Sequence, residues 1–145
     1  MIPRYEVPEI AAVWSDEARL GHWLEIELCA VEAWSELGVV PAADAAMCRQ
    51  RAAFTVEDVL ARERVTRHDV AAFVDVVATS IGSEGRWIHH GLTSSDVLDT
   101  AFGLQLRAAA DLLLARLELL LAAVKRQALS HRDTPIIGRS HGVHA

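Results

Sequence analysis

From Asp96 to His131 about 36 consecutive residues run without a proline and with a single glycine, Gly103, before Pro135 closes the stretch. Written as an α-helix, this segment would be roughly 54 Å long at 1.5 Å per residue. A compact domain of 145 residues is only roughly 40 Å across. Leucine and alanine occupy several faces of the helix between Ala101 and Val124, with Gln105, Arg107, Asp111, Arg116 and Glu118 as the main interruptions. A helix that is apolar on several faces needs neighbours around it, as in a bundle. The remaining chain offers too few, so the helix is expected to pack against other copies, against residues beyond Ala145, or against both.

The upstream sequence is also helical in period. Ser15 is a good N-cap, followed by Asp16 and Glu17 where the helix dipole favours acids. Leu20, Trp23, Leu24, Leu28, Val31 and Trp34 then form an apolar stripe that ends at Gly38 and Pro41. Pro41 suits the first turn of a shorter helix running to Arg51, and Thr55 with Asp58 resembles a capping box for the next. A further helix spans about His68 to Ile81 and ends at Gly82, with Val70, Phe73, Val74, Val77 and Ile81 at helical spacing. Ser83 to Thr93 lacks periodicity and reads as a loop. The fold class is therefore all-α: a small N-terminal helical domain over residues 1–93, then over 94–145 the first long helix of a central helical bundle, itself incomplete.

Lys plus Arg number 14 against 20 Asp plus Glu, a formal net charge of −6 with histidine neutral. That balance argues against a nucleic acid polymer or an anionic membrane as the main partner, since both require clustered positive charge. The longest apolar run in the C-terminal half, Leu119 to Val124, is far short of the roughly 20 residues that span a bilayer. Two cysteines, Cys29 and Cys48, without a CxxC pair, and an opening Met-Ile-Pro-Arg-Tyr-Glu that does not read as a secretory leader, predict a reducing, cytoplasmic setting. Cys29, on the apolar side of its helix, is expected to be a small core residue, and the four tryptophans to pack rather than to stack on bases.

Three clusters hold the side chains suited to chemistry: Arg67-His68-Asp69, the run from His89 to Asp96, and the run from Gly138 to Ala145. Each has an ordinary structural reading. Arginine and histidine at a helix start are often simply solvated, Thr93-Ser94-Ser95-Asp96 would serve as any helix cap, and His141-x-x-His144 could be an exposed turn. A zinc site from His89, His90, His141 and His144 finds no acid or cysteine at ligand spacing. No metal and no cofactor are expected.

Taken together and in order, these segments resemble the fumarase/aspartase superfamily, and within it the branch that acts on succinylated purine nucleotides. The segments that carry the resemblance are Arg4-Tyr5 with Pro8-Glu9, Val13-Trp14-Ser15-Asp16-Glu17, Thr66-Arg67-His68-Asp69-Val70, Gly91 to Thr100, and Gly138-Arg139-Ser140-His141-Gly142-Val143-His144-Ala145. It extends over all 145 residues and about the first third of such an enzyme. His90 stands where an aromatic is expected, and Ser140 replaces the more usual threonine before the catalytic histidine.

The resemblance implies a β-elimination in which a C–N bond breaks and fumarate leaves, giving AMP or the corresponding imidazole carboxamide ribotide. Such a reaction needs a base for a weakly acidic C–H, an acid for the departing nitrogen, and cations or dipoles for a dianionic intermediate. By resemblance His141 is the general acid and His68 a second catalytic residue that also meets the substrate's charged groups. Arg4, Tyr5, Arg67, Asp69, His89, Thr93 and Ser94 are implied as contacts to the small-molecule nucleotide. The base implied is a serine in a Gly-rich loop downstream of this sequence, and none of Ser94, Ser95 or Ser140 takes that role. The assembly implied is a homotetramer, with each active site built from three subunits. Two other readings stay open: another lyase of the superfamily, acting on argininosuccinate or a carboxymuconate, and a non-catalytic helical module that associates through the long helix.

Overall fold

The computed structural model describes residues 2–144, without the side chain of Pro3, so the Met1 start and the Ala145 end of the last motif lie outside the described residues. Two compact units are present, one through Ala109 and one from Ala110 onward. The helix α6 (Ser94–Ser130) runs from the first into the second.

In the first unit, a 3₁₀ turn (Pro3–Tyr5) precedes α1 (Pro8–Val13), α2 (Asp16–Glu36), α3 (Ala42–Arg51), α4 (Val56–Thr66) and α5 (Asp69–Ile81). The caps behave as local sequence dictates. Ser15 Oγ accepts the Ala18 N–H at 3.1 Å. Thr55 Oγ1 accepts from Asp58 N–H at 3.1 Å while its own hydroxyl donates to the Asp58 carboxylate at 2.7 Å. Each such cap contributes on the order of 1 kcal/mol.

The core gathers Leu20, Trp23, Leu28 and Val31 of α2, Cys48 of α3, Val59 of α4, four apolar residues of α5, and Val97 and Ala101 of α6. Its aromatic centre is Phe73, which meets Trp23 edge-on at 5.5 Å between centroids and Phe54 at 5.7 Å. Burying each of these large side chains is worth roughly 1.5–3 kcal/mol.

Four details depart from the sequence expectations. The segment after Gly82 opens as a 3₁₀ helix (Ser83–Trp87) rather than a plain loop, and a Cβ at Gly85 would run into the backbone of Ala78 in α5. Cys29 is exposed, not part of the core. It lies one turn from Glu25 and from Glu32, on the acidic face of α2, and its thiol donates to Glu25 at 3.3 Å. Trp14 remains 40% exposed, with Phe102 as its ring neighbour at 6.1 Å. Finally α1, only six residues long, is too short to register as a periodicity.

In the second unit, α6 continues to Ser130 with Leu113, Leu114, Leu117, Leu119, Leu120 and Leu121 each more than half exposed. A two-stranded antiparallel hairpin follows, β1 (Arg139–Ser140) and β2 (Val143–His144), with Arg139 opposite His144 and Ser140 opposite Val143. Among the described residues no helix is long and apolar enough to cross a membrane.

Candidate active site

Each of the segments singled out by the sequence sits at a break between elements, and the breaks share a backbone feature. Among the described residues the only non-glycine positions with positive φ are Arg67 (55°), His89 (65°) and His141 (52°). L-residues with a Cβ avoid this region at a cost of roughly 1–2 kcal/mol, although histidine visits it more readily than most.

Arg67 ends α4 in the left-handed conformation where glycine is usual, and borders a shallow hollow of about 430 Å³ with Leu60, Glu63 and Arg64. The chain then turns at once into α5. Thr66 holds that turn, its hydroxyl donating to the His68 carbonyl at 2.9 Å and accepting from the His68 N–H at 3.3 Å. His68 is the N-cap of α5, and its Nδ1 accepts the Ala71 N–H at 3.3 Å. The Asp69 carboxylate lies 3.4 Å from the same Nδ1 but already accepts the Val70 N–H at 2.8 Å. A nitrogen that caps a helix is an acceptor, so the neutral ring carries its proton on Nε2. His68 can therefore donate a hydrogen bond through Nε2 without leaving its cap.

His89 is held by a residue the sequence reading did not select. Glu27, with no exposed surface, accepts the His89 backbone N–H at 2.7 Å and approaches its ring Nδ1 at 2.6 Å. The signal was present in the sequence: Glu27 is four residues from Trp23 and from Val31, squarely on the apolar stripe of α2. A carboxylate placed there must be paired. The neighbouring His90 is a packing residue, its ring edge-on to Trp34 at 5.6 Å and to Trp87 at 5.4 Å, with its carbonyl accepting from Trp34 Nε1 at 2.9 Å. Gly91 follows at φ 75°, where a Cβ would come within 2.9 Å of the Trp34 ring.

Thr93 immediately precedes α6 and Ser94 opens it. The Asp96 carboxylate accepts the Thr93 N–H at 2.8 Å, the reciprocal half of a capping box. Gln105, read from the sequence as an interruption, is 4% exposed, and its amide donates to the Val13 carbonyl at 2.7 Å, tying the end of α1 to α6. Arg4 and Tyr5 are an exposed pair, the guanidinium donating to the phenol oxygen at 3.0 Å and lying 4.9 Å from the ring centroid.

In the second unit His141 and Gly142, both at positive φ, form the two-residue turn of the β1–β2 hairpin, the pattern of a type I′ turn. His141 stands exposed at its tip. The ordinary reading of His141-x-x-His144 as an exposed turn is thus its local geometry.

The strongest ion cluster lies apart from these residues. Arg49 of α3 binds Glu32 at 2.7 and 2.8 Å and Glu25 at 2.6 Å on α2. Hydrogen bonding to Arg49 holds both carboxyls below their ordinary range. Partial desolvation of the sulfur, then the bond to Glu25, raises the Cys29 thiol even though the residue is exposed. A groove of about 1080 Å³ between α4 and α5, bounded by Phe54, Arg62 and Asp75, holds none of the candidate residues. Among the described residues no three or more histidine, cysteine or acidic side chains converge as a metal site would require.

The comparisons give the class to which this largely helical fold, with histidines at its element breaks, belongs. Residues 4–145 match the family described as lyase, and the chain belongs to that family. Among its relatives are the adenylosuccinate lyases of Bacillus subtilis and of a Synechocystis species, each 48% identical over 145 residues, and that of Aquifex aeolicus at 43% over 149. Each alignment takes in the whole of this chain and 34% of the relative, so the chain spans about a third of their length. Of solved structures, a fumarate lyase from Mesorhizobium sp. BNC1 is similar at a TM-score of 0.86 and 28% identity, over 95% of this chain and 33% of that one. A 3-carboxy-cis,cis-muconate lactonizing enzyme from Pseudomonas putida matches at 0.86 and 30%, over 97% of this chain and 34% of that one.

Proposed function

We propose that this chain is the N-terminal portion of an adenylosuccinate lyase, eliminating fumarate from adenylosuccinate and from the succinylaminoimidazole carboxamide ribotide. In this reading it comprises a helical domain to residue 93 and, from residue 94, the first helix of a bundle shared in a cytoplasmic homotetramer. The observation that carries the reading is the 43–48% identity, over the whole of this chain, to the adenylosuccinate lyases of three bacteria. The left-handed backbone at Arg67 and His89, both chosen as site residues from the sequence, agrees with it, since strained conformations concentrate where function requires them.

In the proposed mechanism Arg4, Tyr5, Arg67, Asp69 and His89 hold the nucleotide. Thr93 and Ser94, at the positive end of the α6 dipole, receive a substrate carboxylate. His68 donates through Nε2 to a charged group. A base outside these 145 residues removes the C–H proton, and the electron pair left on carbon expels the nitrogen as the C–N bond breaks. His141 delivers a proton to that nitrogen. Histidine suits the task because its ordinary pKa is near neutrality, and a positioned acid is typically worth about 10²–10⁴-fold.

The test is a chimera in which this chain replaces the matching third of the Bacillus subtilis relative. Fumarate release from adenylosuccinate is expected, and its loss on His141→Ala; the 145-residue chain alone is expected to be inactive. Turnover of the isolated chain, or an unaffected His141→Ala chimera, would overturn the reading. A second reading, a carboxymuconate-cyclising enzyme, is favoured by the likeness to the Pseudomonas putida structure. A chimera that turned over carboxymuconate and ignored adenylosuccinate would establish it.

A further inference from the structure

Among the described residues Glu27 is the one fully buried carboxylate, and both its oxygens are spent on a single residue. Oε2 takes the His89 backbone N–H at 2.7 Å, and Oε1 lies 2.6 Å from Nδ1, at the short, charge-assisted end of N–H···O distances. The His89 side chain is 24% exposed while that of Glu27 is wholly covered, so the edge of the ring bearing Nδ1 is turned inward to the carboxylate. An ionised carboxylate can only accept, which places a proton on Nδ1 and leaves Nε2 as the atom available to a ligand.

We propose that Glu27 is a positioning residue: it fixes His89 in the Nδ1–H tautomer, at a left-handed backbone position, and so presents Nε2 to an anionic group of the substrate. This rests on the reading of His89 as a substrate contact. An anion in front of Nε2 and Glu27 behind Nδ1 would flank the ring with two negative groups, an arrangement that favours protons on both ring nitrogens. The carboxylate does for the ring what an outer carboxylate does for a catalytic or metal-bound histidine: it sets tautomer and orientation and supports the cation. The second bond, to the backbone N–H, ties the same carboxylate to the turn that aims the ring.

The geometry offers an unusually sharp variant. In Glu27→Gln the amide oxygen must stay on the His89 backbone N–H, because an NH₂ group cannot accept a hydrogen bond. The NH₂ then faces Nδ1, which has to become an acceptor, and the neutral ring switches to the Nε2–H tautomer with its packing retained.

Two measurements decide the matter. In the 145-residue chain with ¹⁵N-labelled histidine, the ring correlation pattern of neutral His89 should be that of the Nδ1–H form, the reverse of free histidine, and should invert in Glu27→Gln. Finding the Nε2–H form in the unsubstituted chain overturns the proposal without any variant. So does an unchanged tautomer in folded Glu27→Gln. In the chimera with the Bacillus subtilis relative, Glu27→Gln should raise KM for adenylosuccinate about tenfold with kcat within about twofold, the mark of lost binding rather than lost chemistry. If His89→Gln raises KM while Glu27→Gln does not, Glu27 has no part in binding and the proposal fails with the functional reading intact. If His89→Gln itself leaves KM unchanged, it is the reading of His89 as a substrate contact that fails, and the positioning role falls with it.

Discussion

Glu27 meets His89 twice, accepting its backbone N–H at 2.7 Å and approaching its ring nitrogen at 2.6 Å. The pair spans 62 positions in sequence and binds α2 to the segment that leads into α6. Replacing Glu27 by leucine keeps the apolar stripe but leaves the His89 N–H without its partner. An orphaned buried donor costs about 1–3 kcal/mol. Urea unfolding of the 145-residue chain should report a loss in that range, and no loss would mean that the bond is made good by water.

Arg67 offers the opposite experiment. Its φ of 55° is a position where glycine pays no steric penalty. Arg67→Gly should therefore stabilise the chain by about 1 kcal/mol. In the chimera it should weaken substrate binding. A variant that gains stability and loses affinity separates the cost of the conformation from the use of the side chain; one that loses both would assign Arg67 a structural role.

These two residues also mark how far the sequence could be read. Elements whose signals are local were legible: Ser15 and Thr55 cap the helices they were expected to cap, and α6, expected from about Asp96, begins two residues earlier at Ser94. The segments bearing the candidate residues were legible because polar, chemically able side chains interrupt helical periodicity there. What escaped depends on tertiary contacts. Cys29 is the exception, a misreading of local register: Glu25 and Glu32, one turn away on either side, put it on the acidic face of α2, where it meets Glu25 and Arg49. Glu27 and Gln105 look like polar exceptions until their partners, His89 and the Val13 carbonyl, are brought in from distant positions. The hairpin at 139–144 has two residues per strand, too few for any alternation to show.

The Arg49 cluster predicts an acid-sensitive contribution to stability. Glu25 and Glu32 have folded-state pKa values below the ordinary 4.5 because Arg49 hydrogen-bonds their ionised forms. A depressed carboxyl contributes stability that is present above its unfolded pKa and lost as pH falls through the folded one. Unfolding free energy should thus decline as pH drops below about 4.5, and Arg49→Met should flatten that decline. The side chains are 36–58% exposed, so screening keeps the difference at neutral pH to no more than about 1 kcal/mol. A pH series of urea midpoints for both proteins checks the sign.

Gly91 tests the packing beneath the start of α6. Alanine there meets two penalties, a φ of 75° and a Cβ within 2.9 Å of the Trp34 ring. Trp34 cannot yield freely, because its indole N–H is bonded to the His90 carbonyl. Gly91→Ala should cost about 1–3 kcal/mol and shift the tryptophan emission of the folded chain. An unchanged spectrum and midpoint would mean that the turn relaxes away from the indole.

The exposed leucines of α6 make the last prediction. Leu113, Leu117 and Leu121 follow one another at intervals of four, and Leu120 and Val124 do the same beside them, each 56–69% exposed. Residues four apart share a helix face, so these side chains form a continuous apolar strip rather than scattered points. Soluble proteins seldom leave such a strip in water, and burying it recovers roughly 25 cal/mol for each Å² covered. The 145-residue chain should therefore sediment as an oligomer, and Leu117→Glu with Leu121→Glu should shift it toward the protomer mass. Because neither residue belongs to the core of the first unit, the near-ultraviolet dichroism of its buried aromatics should persist. A chain that sediments as a protomer before substitution would show that the strip needs a partner other than a second copy.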